Sequence, residues 1–114
     1  WPAAGDQLPQ QELLDRVVRS LAAVDGKAKE IVDFCGQDRP AGATPDFPYL
    51  KDAATASFVR HNLRLFLARH LVQRDLADES LEQLAGLSAT DVVDPATLYF
   101  CRAIAHHRLL QKDE

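Results

Sequence analysis

An apolar stripe in the first third of the chain constrains its fold more than any other feature. Its members recur at alternating spacings of three and four residues: they are Leu14, Val17, Leu21, Val24, Ala28, Ile31 and Cys35. This spacing places side chains along one face of a single long helix. We therefore predict a helix from about Gln10 to Cys35. A kink or break at Asp25-Gly26 is the alternative, because glycine inside a helix costs about 1 kcal/mol relative to alanine.

Further helices are predicted from apolar periodicity and from residues typical of helix ends. They span about 52–75, 78–85 and 95–112, and a long connection, 36–50, precedes them. Asp94-Pro95 predicts the start of the last one, because an acidic residue caps a helix and proline suits its first position. The predicted fold class is all-α: a four-helix bundle or an α-hairpin array, with two or three long helices and one short helix.

The long connection and the helix after it have different compositions and different expected roles. Prolines and glycines exclude regular structure from the connection. Its end is apolar, so we expect Phe47, Tyr49 and Leu50 to pack back onto the bundle. The following helix carries two apolar stripes and is expected to lie centrally, covered on two sides. A connection of this length is also a natural place for a binding function.

The length of the chain indicates one domain. We predict a loose N-terminal arm at residues 1–9 and a single helical domain at residues 10–114. The chain begins at Trp1 and contains no methionine. We interpret this as excision from a longer protein or as removal of a leader before Trp1, and the second case implies an exported or periplasmic protein. No apolar run approaches the ~18 residues of a membrane span, so none is predicted.

Charge is unevenly distributed along the chain. The net charge of −4 disfavours a nucleic-acid-binding module. Residues 51–74 contain five Lys or Arg residues and one acid, whereas residues 75–94 contain six acids and no Lys or Arg. Two interpretations stay open: a basic helix packed near an acidic hairpin, or a basic surface that binds anions or an acidic partner.

The two cysteines, Cys35 and Cys101, both fall on apolar helical faces. We predict buried free thiols, since cysteine packs as a small hydrophobe. The alternative is a disulfide that ties the first helix to the last in an exported chain. Neither a CxxC nor a CxxCH motif occurs, so neither redox chemistry nor covalent haem is predicted.

Histidines and paired arginines are the candidate ligand-binding residues. His70 falls within an apolar stripe and is interpreted as a core histidine or, alternatively, as a ligand. His106 and His107 are adjacent and point about 100° apart, so they do not easily share one metal. Ligation by His70 together with one of them would cross between helices, but no metal-binding spacing occurs, and no metal or cofactor is predicted. Arg60 and Arg64, one turn apart, could hold a phosphate or carboxylate.

The stretch 95–114 resembles the first helix of a tetratricopeptide repeat. The resemblance rests on the aromatic Tyr99, the small Ala103 and Ala105, and Leu109 near the helix end. The departures from the family pattern are Arg102, His106 and Leu110. The resemblance implies an α-hairpin protein whose next helix lies beyond Glu114, and a role in protein–protein interaction.

The chain lacks the sequence patterns of catalysis. There is no GxSxG motif, no phosphate-binding glycine loop and no cysteine beside a histidine in a polar setting. No catalytic residue is predicted, which favours a non-enzymatic role. The leading hypothesis is a helical interaction or scaffolding module whose partner is another protein or a flanking domain. The alternative is a helical bundle that binds a small ligand or metal through His70.

Overall fold

The computed structural model describes the backbone of residues 2–36 and 47–113, and the side chains of residues 12–36 and 47–110. Within these ranges the chain is all-α, with five helices, two 3₁₀ turns and no strand. The helices are α1 (Pro2–Val24), α2 (Gly26–Gly36), α3 (Ser57–Gln73), α4 (Ala77–Leu84) and α5 (Pro95–Asp113). The 3₁₀ turns are Pro48–Leu50 and Ala89–Asp91. None of the described helices is both long and apolar enough to cross a bilayer.

The first predicted helix is divided at Asp25. The Asp25 amide donates to the Leu21 carbonyl at 2.9 Å, which completes α1. The Asp25 carboxylate accepts the Lys27 amide at 2.9 Å and so caps the start of α2. The predicted break at Asp25-Gly26 is confirmed, and the continuous helix over 10–35 is wrong. The physical reason is that a capping aspartate and a glycine together favour ending one helix and beginning another.

The helix α1 begins at Pro2, so the backbone of residues 2–9 is helical rather than a loose arm. Proline suits the first turn of a helix because its missing N–H would have no partner there. Ala3 and Ala4 follow, and alanine has the highest helix propensity. The prediction of a loose arm was wrong for residues 2–9, because apolar periodicity indicates which face of a helix is buried and does not indicate whether a segment is helical.

The helix α3 lies at the centre of the fold, as predicted, and contacts α1, α2, α4, α5 and both 3₁₀ turns. Its buried residues are Asn62, Leu63, Leu65, Leu67, Ala68, Leu71 and Val72. It begins at Ser57 rather than near 52, because the Asp52 carboxylate accepts the Ala54 amide at 2.9 Å and holds a turn there. The core therefore surrounds α3 on several sides.

Buried polar groups connect α3 to its neighbours. The Asn62 side chain, fully buried, donates to the Phe58 carbonyl at 2.8 Å and accepts the Val93 amide at 3.0 Å. The Ser80 hydroxyl of α4 donates to the Ala68 carbonyl of α3 at 2.9 Å. Every buried side-chain nitrogen or oxygen in the described part of the chain has a hydrogen-bond partner. These bonds position α4 and the start of α5 against α3.

The end of the long connection packs back on the helices, as predicted. The Phe47 ring meets the Phe34 ring edge-on, with centroids 5.8 Å apart. The Tyr49 hydroxyl donates to the Asp25 carboxylate at 2.5 Å, and this bond raises the pKa of Tyr49 to about 12. Leu50 is buried. The middle of the connection lies outside the described residues.

Tight turns separate the last three helices. Asp75 ends α3 with φ of 65°, and the Leu76 amide donates to the Leu71 carbonyl at 2.9 Å, as in a Schellman motif. Gly86, with φ of 80°, follows α4 and ends it as predicted. The Asp75 carboxylate also accepts Arg108 of α5 at 2.9 Å. The three helices α3, α4 and α5 thus pack consecutively against one another.

Candidate functional site

The start of α5 is held by a buried aspartate. Asp94 is fully buried, and its Oδ1 accepts the Thr97 amide at 3.1 Å. The Thr97 hydroxyl donates to the other carboxylate oxygen of Asp94. Pro95 occupies the first helical position. The predicted helix start is confirmed, and the direction of α5 is set by a cap inside the fold.

One side of α5 faces the core. Leu98, Cys101 and Ala105 are fully buried and follow one another at spacings of three and four residues. The helix contacts α3 and α4 on this side. Since 3.6 residues make one turn, the residues between them must point elsewhere. The core therefore covers only one side of α5.

The arginines of α5 bond to main-chain and side-chain oxygens of other elements. Arg102 donates to the Leu84 carbonyl at 3.2 Å and also to the Leu87 carbonyl. Arg108 pairs with Asp75, as described above. From the other side, Arg64 of α3 donates to the Ala85 carbonyl at 2.8 Å. Two guanidinium groups thus meet the negative end of α4, where carbonyls have no helical partner.

The outer face of α5 is apolar and carries no fixed charge. Between residues 95 and 110, its exposed members are Tyr99, Phe100, Ala103, His106, His107 and Leu110. Tyr99, Phe100 and Leu110 are 57%, 63% and 65% exposed. The charged residues in this part of the helix, Arg102 and Arg108, are partly buried and bond to other elements of the fold. Covering such a surface is favourable by about 25 cal/mol for each Å² of apolar area.

A second apolar surface lies between α1 and the start of α3. It is an open groove of about 420 Å³. Its lining residues are Arg16, Val17, Ser20, Leu21, Val24 and Phe58. Val24 is 84% exposed and Phe58 is 52% exposed. We call this surface the α1 groove.

The α1 groove is made by part of the predicted heptad stripe. Leu14, Ala28 and Ile31 are buried as the stripe predicts, whereas Val24 is exposed. Val18, which is not in the stripe, is buried instead. Leu14, Val18 and Val24 all lie in α1, and the core covers the side of α1 that carries the first two. The stripe is therefore divided between the core and the surface.

His70 lies in an aromatic environment. Its ring meets the Phe34 ring edge-on, with centroids 5.6 Å apart, and Phe34 also contacts Phe47. Burial lowers the pKa of His70 below its usual 6.5, and the nearby positive charge of Arg74 acts in the same direction. Among the described residues there is no group of three or more side chains suited to hold a metal. Ligand binding by His70 stays a prediction.

The other predicted ligand residues are dispersed. His106 and His107 lie on the outer face of α5. Arg60 donates to the Thr55 carbonyl at 3.0 Å and to the Ser57 hydroxyl at 3.3 Å. Burial lowers the pKa of Arg64, and neighbouring Arg60 adds to the effect. Both arginines therefore bond within the fold, and an anion site on them stays a prediction.

The cysteines are both free thiols. Cys101 is fully buried, and burial raises its pKa to about 11. Cys35 is half-buried, and burial raises its pKa to about 12. Thiols with such pKa values are poor nucleophiles near neutral pH. This environment matches the predicted packing role and offers no activated nucleophile at either position.

The large apolar residues of the two exposed surfaces were not predicted as site residues. They are Val24 and Phe58 in the α1 groove, and Tyr99, Phe100 and Leu110 on the outer face of α5. A signal for the second group exists in the sequence, because the positions three and four residues before and after Ala103, which share its helical face, are Tyr99, Phe100, His106 and His107 and include no Asp, Glu, Lys or Arg. A comparable signal for the α1 groove is missing, since Val24 has the spacing of a core residue.

Comparison with protein-family models, curated proteins and solved structures finds no match to this chain. The resemblance of residues 95–114 to a tetratricopeptide helix therefore stays a prediction.

Proposed function

We propose that this domain is a non-catalytic interaction module that docks a helix of a partner protein on the outer face of α5. The observation that carries the proposal is the combination of exposure and missing charge on that face. Tyr99, Phe100 and Leu110 are each more than half exposed. Solvated helix faces are usually rich in charged residues, whereas faces that dock partners are apolar.

The residue types on this face are those that contribute most to protein interfaces. Aromatic side chains are enriched in interface hot spots, and a few such residues carry most of the binding energy. Burying one Phe, Tyr or Leu side chain contributes about 1.5–3 kcal/mol. Tyr99, Phe100 and Leu110 lie along one helix. Three such side chains can form a contact as wide as a single partner helix.

A protein partner fits this face better than a lipid surface does. Helices that lie on membranes combine an apolar face with exposed Lys or Arg residues that attract anionic lipids. Arg102 and Arg108 of α5 are instead bonded to Leu84, Leu87 and Asp75 within the fold. No described cation of α5 is therefore available to bind headgroups beside the apolar surface.

The tetratricopeptide resemblance agrees with a helix as the docked element. In that family, small residues let a second helix approach closely. Ala103 is exposed on the outer face, with Tyr99 one turn before it. A small residue between large ones leaves a shallow depression into which a side chain of a facing helix can insert.

Site-specific photo-crosslinking tests the proposal. A photoreactive phenylalanine analogue replaces Phe100, and a matched variant carries it at Lys29, an exposed position of α2. After irradiation in an extract of the source cells, position 100 should yield a discrete protein adduct that position 29 does not. Introducing Leu110→Asp into the first variant should abolish the adduct without changing the melting temperature, because Leu110 is exposed.

Val24→Asp is the second control, since it alters the other apolar surface. It should leave the adduct from position 100 intact. Identical adducts from positions 100 and 29, or an adduct from position 100 that persists with Leu110→Asp, would contradict the proposal.

A further inference from the structure

We propose that α2 is a lid over the His70 side of α3, and that it opens as a unit when the hydrogen bond between Tyr49 and Asp25 breaks. This inference is independent of the function proposed for α5. It rests on three features of the structure: a one-residue joint before α2, side chains that hold α2 from outside it, and an aromatic contact beneath it.

The joint lies between α1 and α2. The first helix ends at Val24 and the second begins at Gly26, so Asp25 is the one residue between them. Gly26 is exposed, and the space beside its Cα is open. A rotation of α2 about this joint therefore meets no steric obstacle at Gly26.

The helix α2 contributes less to the core than the helix beneath it. It has 11 residues, packs on α1 and α3, and has two buried residues, Ala28 and Ile31. The helix α3 has seven buried residues. Elements with few buried apolar residues open locally at a lower free energy than the whole domain unfolds. We therefore expect α2 to open while α3, α4 and α5 stay folded.

The 3₁₀ turn Pro48–Leu50 holds the start of α2 from outside it. This turn contacts α3, and its Leu50 is buried. From this anchored turn, the Tyr49 hydroxyl donates to the Asp25 carboxylate at 2.5 Å. The Lys27 ammonium lies 5.7 Å from the centroid of the Tyr49 ring. Since hydrogen bonds to charged groups are stronger than those between neutral groups, the Tyr49–Asp25 bond keeps the start of α2 in place.

Aromatic contacts hold the second half of α2. The Phe34 ring lies 5.8 Å from the Phe47 ring, between centroids, and Phe47 directly precedes the anchored turn. Phe34 also meets the His70 ring of α3, with centroids 5.6 Å apart. Movement of α2 away from α3 separates Phe34 from His70 and uncovers the imidazole. Because His70 is the ligand candidate taken from the sequence, the lid would control access to it.

Labelling of the two cysteines in the folded protein tests the inference. Cys35 lies in the last turn of α2, whereas Cys101 is fully buried in α5. Burial raises the pKa of Cys35 to about 12 and that of Cys101 to about 11, so both thiols should react slowly until they are exposed. Iodoacetamide is added to the 114-residue chain, and mass spectrometry of proteolytic peptides gives the modification rate at each site.

Cys35 should be modified at least about tenfold faster than Cys101, because opening of the lid exposes Cys35 and only unfolding of the bundle exposes Cys101. Tyr49→Phe keeps the aromatic ring and removes the donor to Asp25. It should raise the rate at Cys35 at least about tenfold, since one hydrogen bond to a carboxylate no longer holds the lid. Tyr99→Phe, the same change on the exposed face of α5, should leave both rates unchanged.

Asp94→Ala distinguishes opening of the lid from unfolding of the whole domain. It removes the cap of α5, a helix that stays folded while the lid opens. It should raise the rate at Cys101 about fivefold and leave the rate at Cys35 unchanged. Equal acceleration at both cysteines by Asp94→Ala would overturn the inference, because Cys35 would then be exposed only by global unfolding. An unchanged rate at Cys35 in Tyr49→Phe, or a wild-type rate at Cys35 no higher than at Cys101, would overturn it as well.

Discussion

The helices α3 and α5 have similar lengths, 17 and 19 residues, and opposite relations to the rest of the molecule. α3 contacts every other described helix, and its leucines are buried along nearly its whole length. α5 is covered on one side only, and Tyr99, Phe100 and Leu110 lie exposed on the other. Both helices are rich in apolar residues. Apolar content alone therefore does not distinguish a core helix from one with an exposed apolar face.

The arginines of both helices bond to neighbouring elements of the fold. Arg64 and Arg69 of α3 bond to Ala85 and Asp15 of neighbouring elements. Arg102 of α5 also bonds inward, to the carbonyls that follow α4. On α5 this leaves the solvent side without a fixed charge. The outer face of α5 is apolar because its arginines bond within the fold as well as because its aromatic residues are exposed.

The sharpest test of the comparison is to shorten one leucine on each helix. Leu67→Ala in α3 should lower the free energy of unfolding by about 2–5 kcal/mol, because Leu67 is fully buried and a cavity would remain. Leu110→Ala in α5 should change it by less than about 0.5 kcal/mol. Urea titration of both variants measures the difference. Equal losses would mean that the outer face of α5 is covered in solution.

Removal of the Asn62 side chain tests how α3 positions the start of α5. Asn62→Ala removes the acceptor of the half-buried Val93 amide and one donor to the Phe58 carbonyl, which keeps its partner within α3. We expect a loss of about 1–3 kcal/mol in the free energy of unfolding. Amide hydrogen exchange at Val93 should accelerate as well. Ser88→Ala, on the exposed turn before α5, is the matched control and should have a smaller effect.

The cap of α5 is expected to matter less than the core beneath it. Asp94→Ala removes the acceptor for the Thr97 amide and hydroxyl, and should cost about 1 kcal/mol of unfolding free energy. Asp94→Asn keeps a capping oxygen and should recover most of the loss. Thermal denaturation followed by circular dichroism compares the two. Equal destabilisation by both would indicate that the carboxylate charge, rather than capping, is what the fold requires.

Among these tests, the titration of His70 should change the free energy of unfolding least. The pKa of His70 is lowered in the folded state, so the unfolded chain binds more protons in the range below the usual value of 6.5. Stability should therefore fall as pH decreases through that range. His70→Asn should make the dependence shallower, as measured by urea titration between about pH 5 and 7.5. An unchanged slope would contradict the half-buried environment of His70.

Much of the fold could be predicted from local signals. The Asp94-Pro95 start, the glycine that ends α4 and the central place of α3 all follow from residue chemistry and periodicity, and the structure confirms them. The start of α1 could not be predicted in this way, because residues 2–9 have no apolar pattern. The cap that Asp25 forms was also not predicted, since capping needs a backbone already turned toward the side chain.

The candidate surfaces were less predictable than the fold. The apolar content of the last helix indicated an interaction role, and the ligand candidates chosen from sequence were His70, Arg60, Arg64, His106 and His107. The structure places the first three in contacts within the fold and the two adjacent histidines on the outer face of α5. Titratable residues were chosen from the sequence because their side chains can perform chemistry. A surface that binds a protein partner is instead identified by the exposure of its apolar side chains.

The sequence by itself determined that this chain forms helices, where most of them begin and end, and which helix is central. These features depend on propensity, caps and periodicity, which act between residues a few positions apart. Only the tertiary structure decided that Val24 is exposed while Val18 is buried, and that one side of α5 stays open. A helix can carry more apolar positions than its neighbours cover, and which ones are covered depends on the packing of all the helices together.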